Sequence, residues 1–304
     1  MKIIQRRKIW YILSLVLIVP GLLAVIFWGL KASIDFTGGT LIELEFPQKE
    51  KVVTADVRTP LEKEGFSNLN IQNTSDNIIL IRTVQLDKER VVKAKEILAE
   101  KLGEVKELRL ETIGPTISHE LTKKAIISVI VASIIIVLYV AFAFRKVPRP
   151  ANSWRFGVAA VVALIHDALF IIGVFAILGH FFGIEVDSLF ITAVLTIIGF
   201  SVNDTIVVFD RIRENLIKHP EEDFEEVANA SVVQTLDRSI NTSFTVLLVL
   251  IALYLFGGES IKYFILALLM GVVIGTYSSI FNASALLVSW ENFARNRATK
   301  KPEA

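Results

Sequence analysis

The chain has 304 residues, of which 53% are hydrophobic, with a formal net charge of +1 and no cysteine. A composition this apolar excludes an ordinary soluble globule and predicts a membrane protein that carries a soluble insertion. The lack of cysteine excludes disulfides, thiolate metal sites and thiol catalysis, and the near-neutral charge gives no reason to expect nucleic acid as a partner.

The first predicted element is an uncleaved membrane span. Residues 1–8 carry four Lys or Arg residues, and residues 9–30 form an apolar run without a charge. A run of about 20 residues crosses a bilayer as a helix and is longer than the apolar core of a signal peptide. Trp10 and Trp28 lie near its two ends, where aromatic side chains anchor a span at the membrane interfaces.

Residues 31–119 differ from the rest of the chain, because charged residues are dense and apolar runs are short. Alternating patterns predict strands, and helical periods that start at the capping residues Thr54 and Asp87 predict two helices. In chain order the elements are strand 39–46, helix 54–64, strands 69–73 and 77–83, helix 87–102 and strand 105–113. This β-α-β-β-α-β order predicts a ferredoxin-like α+β domain, a small open sheet with helices on one face.

Apolar runs then resume and predict five more membrane-spanning helices, at 121–144, 156–178, 188–209, 238–256 and 261–290. The charged segment 210–237 is interpreted as a cytoplasmic loop with a short helix at 220–235, and 291–304 as a cytoplasmic tail. The predicted fold class is an α-helical integral membrane protein with six transmembrane helices and one ferredoxin-like domain between helices 1 and 2. The two halves share a similar helix order, so we hypothesise a duplicated three-helix unit.

The distribution of Lys and Arg predicts the orientation of the chain. Four such residues occur in each of the segments 1–8, 145–155, 210–238 and 291–304, whereas the two short opposite loops carry only Lys262. Because cytoplasmic loops are enriched in Lys and Arg, we expect both termini in the cytoplasm and the domain at 31–119 outside it.

Asp204 is the main candidate functional residue, because it lies inside the predicted fourth span. A carboxylate within an apolar span costs roughly 2.5–3.5 kcal/mol, so it must be paired, protonated or hydrated. Each state suits a group that takes up and releases a proton. Asn203 and Thr205 adjoin it as supporting residues, and a small and polar stripe continues along the helix at Thr192, Thr196 and Gly199. A structural hydrogen bond near the cytoplasmic end is the alternative.

Arg238 opens the predicted fifth span and is a candidate partner for Asp204, since both lie near the cytoplasmic ends of consecutive helices. Thr242 lies one turn further along the same face. Asp237 is a competing partner for the guanidinium, and a positive-inside anchor is the alternative role of Arg238.

A second intramembrane acid, Asp167, follows His166 in the middle of the third predicted span. The dyad is interpreted either as a hydrogen bond that packs helices or as part of a proton path. In the last span, small residues recur at every fourth position and predict close packing without chemistry: Gly271, Gly275, Ser279 and Ala283. No P-loop, HExxH or GxSxG motif occurs, so the sequence predicts no enzyme, no metal site and no cofactor.

Several stretches resemble the SecF family, the six-span partners of SecD in bacterial protein export. IDFTGGT at 34–40 resembles the family's signature after the first helix, and SVNDTIVVFDRIREN at 201–215 resembles its fourth-helix motif. QTLDRSINTS at 234–243, LYLFGG at 253–258 and GTYSSIFNASAL at 275–286 resemble its fifth and sixth helices. The resemblance covers essentially the whole chain in order.

The resemblance implies an auxiliary subunit of the Sec translocase in the bacterial cytoplasmic membrane, within a wider group of proton-driven exporters, the RND group. It implies that Asp204 and Arg238 lie on the proton pathway, and that proton flow moves the external domain to promote preprotein export. The implied partners are a SecD-like subunit, the SecYEG channel, the SecA ATPase, YajC, YidC and the preprotein, besides membrane lipid. The alternatives are a proton-driven exporter of small molecules or lipids and a structural scaffold.

Overall fold

The structure is a computed structural model that describes residues 1–144 and 153–298. The chain divides into two compact units, one formed by Met1–Lys31 with Ile127–Ala304 and the other by Ala32–Ile126. In chain order the elements are α1 (Arg7–Trp28), α2 (Ile34–Thr37), β1 (Gly39–Glu45), α3 (Thr54–Lys63), β2 (Asn70–Ser75), β3 (Ile78–Thr83), α4 (Lys88–Leu102), β4 (Lys106–Ile113), α5 (Pro115–Ala143), α6 (Ser153–Phe182), α7 (Ser188–Lys218), α8 (Phe224–Phe256), α9 (Lys262–Tyr277), a π-helical segment (Ser278–Ala283) and α10 (Ser284–Ala298).

The unit Ala32–Ile126 is the ferredoxin-like domain that the element order predicts. Its four strands form one antiparallel sheet in the order β2-β3-β1-β4, and Ile42 in β1 lies opposite both Ile81 and Leu110. The helices α3 and α4 cover one face of the sheet, and their buried side chains, among them Val57 and Leu98, complete its apolar core. The local order of elements therefore determines the sheet topology.

Capping and glycine residues set the boundaries in this domain. Asp87 caps α4 as predicted, because its Oδ1 accepts a hydrogen bond from the backbone N–H of Arg90 at 2.8 Å, and Gly103 ends the helix with φ 91°. Gly39 turns the chain into β1 with φ 130°, and a Cβ there would lie 2.5 Å from the carbonyl oxygen of Thr83. Only glycine fits this position without a shift of the backbone.

The membrane unit is a bundle in which six stretches of helix are long and apolar enough to cross a membrane, all within the described ranges. Apolar side chains from α5 to α10 form its main core, and Trp10 and Leu17 of α1 pack against it. The helices α1 and α6 cross closely where Gly21 faces Gly173. This confirms the predicted fold class of a six-span integral membrane protein with a ferredoxin-like domain between its first two spans.

The N-terminal residues fold against the start of α8. The Oδ1 atom of Asn229 accepts hydrogen bonds from the backbone N–H groups of Ile3 at 2.8 Å and Ile4 at 3.2 Å, and its Nδ2 donates to the carbonyl of Met1 at 2.8 Å. Ile3 and Ile4 are buried beneath this contact. We call residues 1–4 with Asn229 the N-terminal clasp.

The helices extend further than the hydropathy pattern predicts. The charged segment 210–237 is not a loop with a separate helix at 220–235, because α7 continues to Lys218 and α8 begins at Phe224. Intrahelical pairs such as Glu214–Lys218 at 2.6 Å stabilise the charged turns beyond the apolar span, and Asp223 caps α8.

Smaller differences concern single boundaries. Thr54 is not an N-cap: Val53 occupies that position, without a side-chain hydrogen bond. Residues 74–75 belong to β2, so the predicted turn moves to 76–77. The predicted tail at 291–304 is helical to Ala298 and lies beyond the described residues from there on, and most of the predicted loop at 145–155, residues 145–152, also lies outside them.

Candidate functional site

Asp204 lies inside the helix bundle, on the inner side of α7, with only 3% of its surface exposed. Its Oδ2 atom is buried and has no hydrogen-bond partner. The hydroxyl of Thr276, on α9, and the guanidinium of Arg238, on α8, are close enough to affect this carboxyl. The Thr276 hydroxyl itself donates to the carbonyl of Val272 at 2.8 Å, and Arg238 interacts with Asp204 through its charge, without a direct ion pair among the described residues. The carboxyl is therefore enclosed by protein and only partly satisfied.

Asp167 is the second enclosed acid, on α6 and fully buried. Its Oδ2 accepts hydrogen bonds from Ser201 Oγ at 2.5 Å and Ser278 Oγ at 2.7 Å, and its Oδ1 accepts one from His166 Nδ1 at 2.9 Å. In contrast to Asp204, this carboxylate has donors from three different parts of the bundle. Such convergence satisfies a buried charge.

Hydroxyl groups connect the surroundings of the two acids. The hydroxyls of Thr205, next to Asp204, and Ser279 lie 2.8 Å apart, and Ser279 Oγ donates to the carbonyl of Ser201 at 3.0 Å. Ser279 lies in the π-helical segment Ser278–Ala283, which follows α9. Single π-helical turns inside α-helices are rare and often occur at functional sites. The two acids thus share one polar region between α6, α7 and this segment.

Three of the predicted site residues lie on the outer surface of the bundle instead. Asn203, Arg238 and Thr242 are exposed on α7 and α8. The hydroxyl of Thr242 bonds only the carbonyl of Arg238 one turn earlier, at 2.9 Å. Further exposed polar residues continue along the same two helices at Thr192, Thr196, Asn241 and Thr245. The structure therefore gathers Asp204, Thr205, Asp167 and His166 inside, and leaves a polar stripe outside.

The sequence pattern missed the role of the last helix. The small-residue ridge that includes Ser279 packs closely against α7, since Gly275 faces Ser201. The pattern did not indicate that Ser279 also bonds Thr205, or that its neighbour Ser278 bonds Asp167. The available signal was the run of hydroxyl residues in GTYSS, next to glycines that bring helices together. No group of three or more metal-ligating side chains occurs among the described residues.

The fold and the site together define a polytopic membrane protein with two carboxyl groups buried between its spans. The family model described as "Protein export membrane protein SecD/SecF, C-terminal" matches residues 93–293. The protein translocase subunit SecF of Thermobaculum terrenum is 46% identical over 99% of this chain and 98% of its own length. The chain belongs to the SecF family of protein translocase subunits.

Some relatives are longer and match this chain over only part of their length. The translocase subunit SecDF of Bacillus subtilis is 35% identical over 99% of the chain, which spans 39% of that protein. The crystal structure of SecDF from Thermus thermophilus, described as a translocon-associated membrane protein, superimposes with a TM-score of 0.85 at 36% identity and covers 96% of this chain. The chain spans 39% of that structure as well. Membership of this family makes the protein a component of membrane protein transport.

Proposed function

We propose that the protein is an auxiliary subunit of the Sec translocase that uses the proton-motive force to promote preprotein export across the bacterial cytoplasmic membrane. The observation that carries the proposal is the state of Asp204. Only 3% of the surface of Asp204 is exposed, yet its Oδ2 atom has no hydrogen-bond partner among the described residues. A charged carboxylate in such a place is costly, and binding a proton removes the charge. Asp204 is therefore suited to load and unload a proton.

In this proposal Arg238 is the charged partner whose interaction with Asp204 depends on the proton. The guanidinium acts on the carboxyl from a distance rather than through a direct contact. Protonation of Asp204 ends that attraction and allows α7 and α8 to move relative to each other. A proton that crosses 100 mV supplies about 2.3 kcal/mol, so repeated cycles can drive a domain movement.

The supporting residues form the surroundings of this pair. Thr205 orients the adjacent turn through Ser279, and the dyad of His166 and Asp167 belongs to the same polar region. Asn203 and Thr242 would complete a hydrated path from the outer stripe to Asp204. No covalent chemistry is assigned to any of these groups.

A SecD-like subunit is the proposed partner for the outer stripe. Polar side chains on a membrane-spanning surface are expensive in lipid, so they face protein or water. The stripe on α7 and α8 is exposed in the single chain and carries the cation Arg238. The SecDF relatives are considerably longer than this chain. Their additional length supports a partner subunit that covers the stripe. The SecYEG channel, SecA, YajC, YidC and the preprotein belong to the same proposal through the family.

We also propose the orientation that the basic residues predict. Both termini and the segments 145–155 and 210–237 face the cytoplasm, and the ferredoxin-like domain at 31–119 lies outside it. The spans at 9–30, 121–144, 156–178, 188–209, 238–256 and 261–290 cross the hydrocarbon, while the helices themselves extend beyond it.

The test measures preprotein translocation into inverted membrane vesicles that contain the complete translocase, with and without a proton gradient. Asp204→Asn keeps the shape of the side chain but cannot exchange a proton, so we expect it to assemble normally and to lose the stimulation by the gradient. Glu221→Gln is the control, because Glu221 is an exposed acid in the turn between α7 and α8, outside the predicted spans. Equal stimulation in the parent and in Asp204→Asn would refute the proton-carrying role.

A further inference from the structure

One feature of the bundle is not explained by proton loading at Asp204: the set of hydroxyl donors that hold Asp167. Ser201 comes from α7, Ser278 from the π-helical segment and His166 from α6 itself. Hydrogen bonds to an ionised group are roughly twice as strong as those between neutral groups, so Asp167 is a strong cross-link between α6, α7 and the π-helical segment. None of these contacts involves Asp204 directly.

The same short stretch of the last helix also faces Asp204. Ser278 donates to Asp167, and Ser279 bonds Thr205, the residue next to Asp204. Thr276 lies beside the Asp204 carboxyl, although its hydroxyl donates to the carbonyl of Val272. Three hydroxyl residues within four positions therefore line the surroundings of both acids, where α9 changes into the π-helical segment. The position of residues 276–279 therefore determines which hydroxyl group lies next to each carboxyl group.

A π-helical turn holds one extra residue, and it can return to the α-helical form by rotating the helix on one side of it. Since an α-helix has 3.6 residues per turn, a shift by one residue corresponds to a rotation of about 100°. A rotation of α9 by this amount would carry Thr276 away from Asp204. Contacts that hold the π-helical turn therefore control the surroundings of the proton carrier.

Asn282 provides a second attachment of the same segment. Its Nδ2 atom donates to Ser14 Oγ on α1 at 2.6 Å and lies 3.2 Å from His166 Nε2, and its Oδ1 is buried without a partner. A rotation of this amide would offer Oδ1 to an N–H of His166, so the dyad can keep its contacts with a neutral or a charged imidazole. The titratable side chain that faces the dyad from this segment of the bundle is Tyr277, whose ring centroid lies 6.3 Å from that of His166.

We propose that Asp167 is a positioning residue for proton exchange at Asp204, because its hydrogen bonds with Ser278 and Ser201 hold the π-helical turn that places Thr276 and Ser279 against α7. This inference rests on the proposed function, since it assigns Asp167 a role in the same proton exchange. It goes beyond that function because it assigns a role to Asp167 and to the π-helical segment. Asp167 need not exchange a proton itself to fulfil this role.

The experiment compares Asp167→Ala, which removes the acceptor oxygen, and Ser278→Ala with the parent in the full translocase. Ser284→Ala is the matched control, because Ser284 is fully buried just after the π-helical segment and its hydroxyl has no partner. The first readout is the infrared carboxyl band of Asp204 after a pH jump, identified by its absence in Asp204→Asn. The second readout is gradient-stimulated preprotein translocation in vesicles.

We expect both variants to shift the Asp204 band and to lower the gradient-stimulated rate by at least about tenfold, the lower end of what one lost hydrogen bond to a charged group corresponds to. The double variant is expected to be no worse than Asp167→Ala alone, because the two residues act through one contact. Ser284→Ala is expected to match the parent in both readouts.

An unchanged Asp204 band in Ser278→Ala and Asp167→Ala, with translocation equal to that of Ser284→Ala, would overturn the inference while leaving the proposed function intact. If Asp204→Asn itself keeps full stimulation, the proposed function fails first, and that outcome is separate. If Asp167→Ala does not accumulate in the membrane, Ser278→Ala and Ser201→Ala decide the question, because each removes a single hydroxyl.

Discussion

The close crossing of α1 and α6 gives the sharpest prediction about stability. Alanine at position 173 would place a Cβ 2.5 Å from the Cα of Gly21 and 2.8 Å from its carbonyl carbon. Carbon atoms normally pack at about 3.5–4.0 Å, so the two helices must separate by roughly 1 Å to accept the methyl group. The atoms in conflict belong to the backbone, and no side chain can move aside. We therefore expect Gly173→Ala to destabilise the membrane unit.

The magnitude follows from two opposing contributions. Overpacking a tight contact costs about 1–3 kcal/mol. Alanine in place of glycine within a helix returns about 0.5–1 kcal/mol, because glycine loses more backbone entropy on folding. Gly157→Ala, on the same helix, has nothing within 4 Å of its new Cβ and receives only the favourable contribution. Because both variants receive the favourable contribution, it cancels in the comparison, and the two are expected to differ by the overpacking cost of roughly 1–3 kcal/mol in the free energy of unfolding.

The assay is reversible unfolding of the purified full-length protein in mixed micelles, in which a denaturing detergent is titrated and tryptophan fluorescence is followed. Gly21→Ala addresses the same contact from α1, and the double variant is expected to cost less than the sum of the two single changes. The reasoning is refuted if Gly173→Ala and Gly157→Ala unfold at the same detergent fraction.

Three further predictions concern other parts of the chain. Leu98→Ala removes a fully buried side chain from the core of the ferredoxin-like domain and is expected to lower its free energy of unfolding by about 2–5 kcal/mol. Hydrogen exchange of the amides in 32–126 measures this loss, and Val92→Ala, at an exposed position, is the control. Asn229→Ala opens the N-terminal clasp and leaves two buried N–H groups unpaired. The amides of Ile3 and Ile4 are therefore expected to lose hydrogen-exchange protection worth about 1–3 kcal/mol. Equal protection in the variant and the parent would contradict the contact. The hydrogen bond from Arg295 lowers the pKa of Asp223, so the contact stabilises the fold fully above the ordinary carboxyl pKa of about 3.9 and is lost as the pH falls through the lowered pKa. Because the pair is largely exposed, Arg295→Gln is expected to cost less than about 1 kcal/mol near neutral pH and nothing below the lowered pKa, which unfolding titrations at several pH values would check.

The sequence alone predicts the large features of this fold because each has a repeating physical signal. A long run without charge predicts a span, and alternating periods with the cap at Asp87 predict the ferredoxin-like domain. Hydropathy marks only the part of a helix that crosses the membrane, however. The charged turns up to Lys218, and those that start at Phe224, therefore looked like a loop although they are helical.

The candidate site is only partly predictable for a different reason. The cost of a carboxylate in an apolar span singles out Asp204 and Asp167 in the sequence. Which hydroxyls meet these acids depends on how the helices are rotated about their axes, and no periodicity reports that rotation. The contact of Ser278 with Asp167 could not be predicted for this reason, and the π-helical turn that orients the Ser278 hydroxyl has no sequence signature of its own.

The N-terminal clasp has a consequence for how the protein is made. The residues that it joins, Ile3 and Asn229, are 226 positions apart in the chain. At a synthesis rate of about 5–20 residues per second, the N-terminus therefore waits roughly 10–45 s for its partner to leave the ribosome. During that interval Ile3 and Ile4 lack the surface that later buries them, so the lipid interface or a chaperone must shield them. Ile3 and Ile4 are thus among the last residues to pack into the bundle.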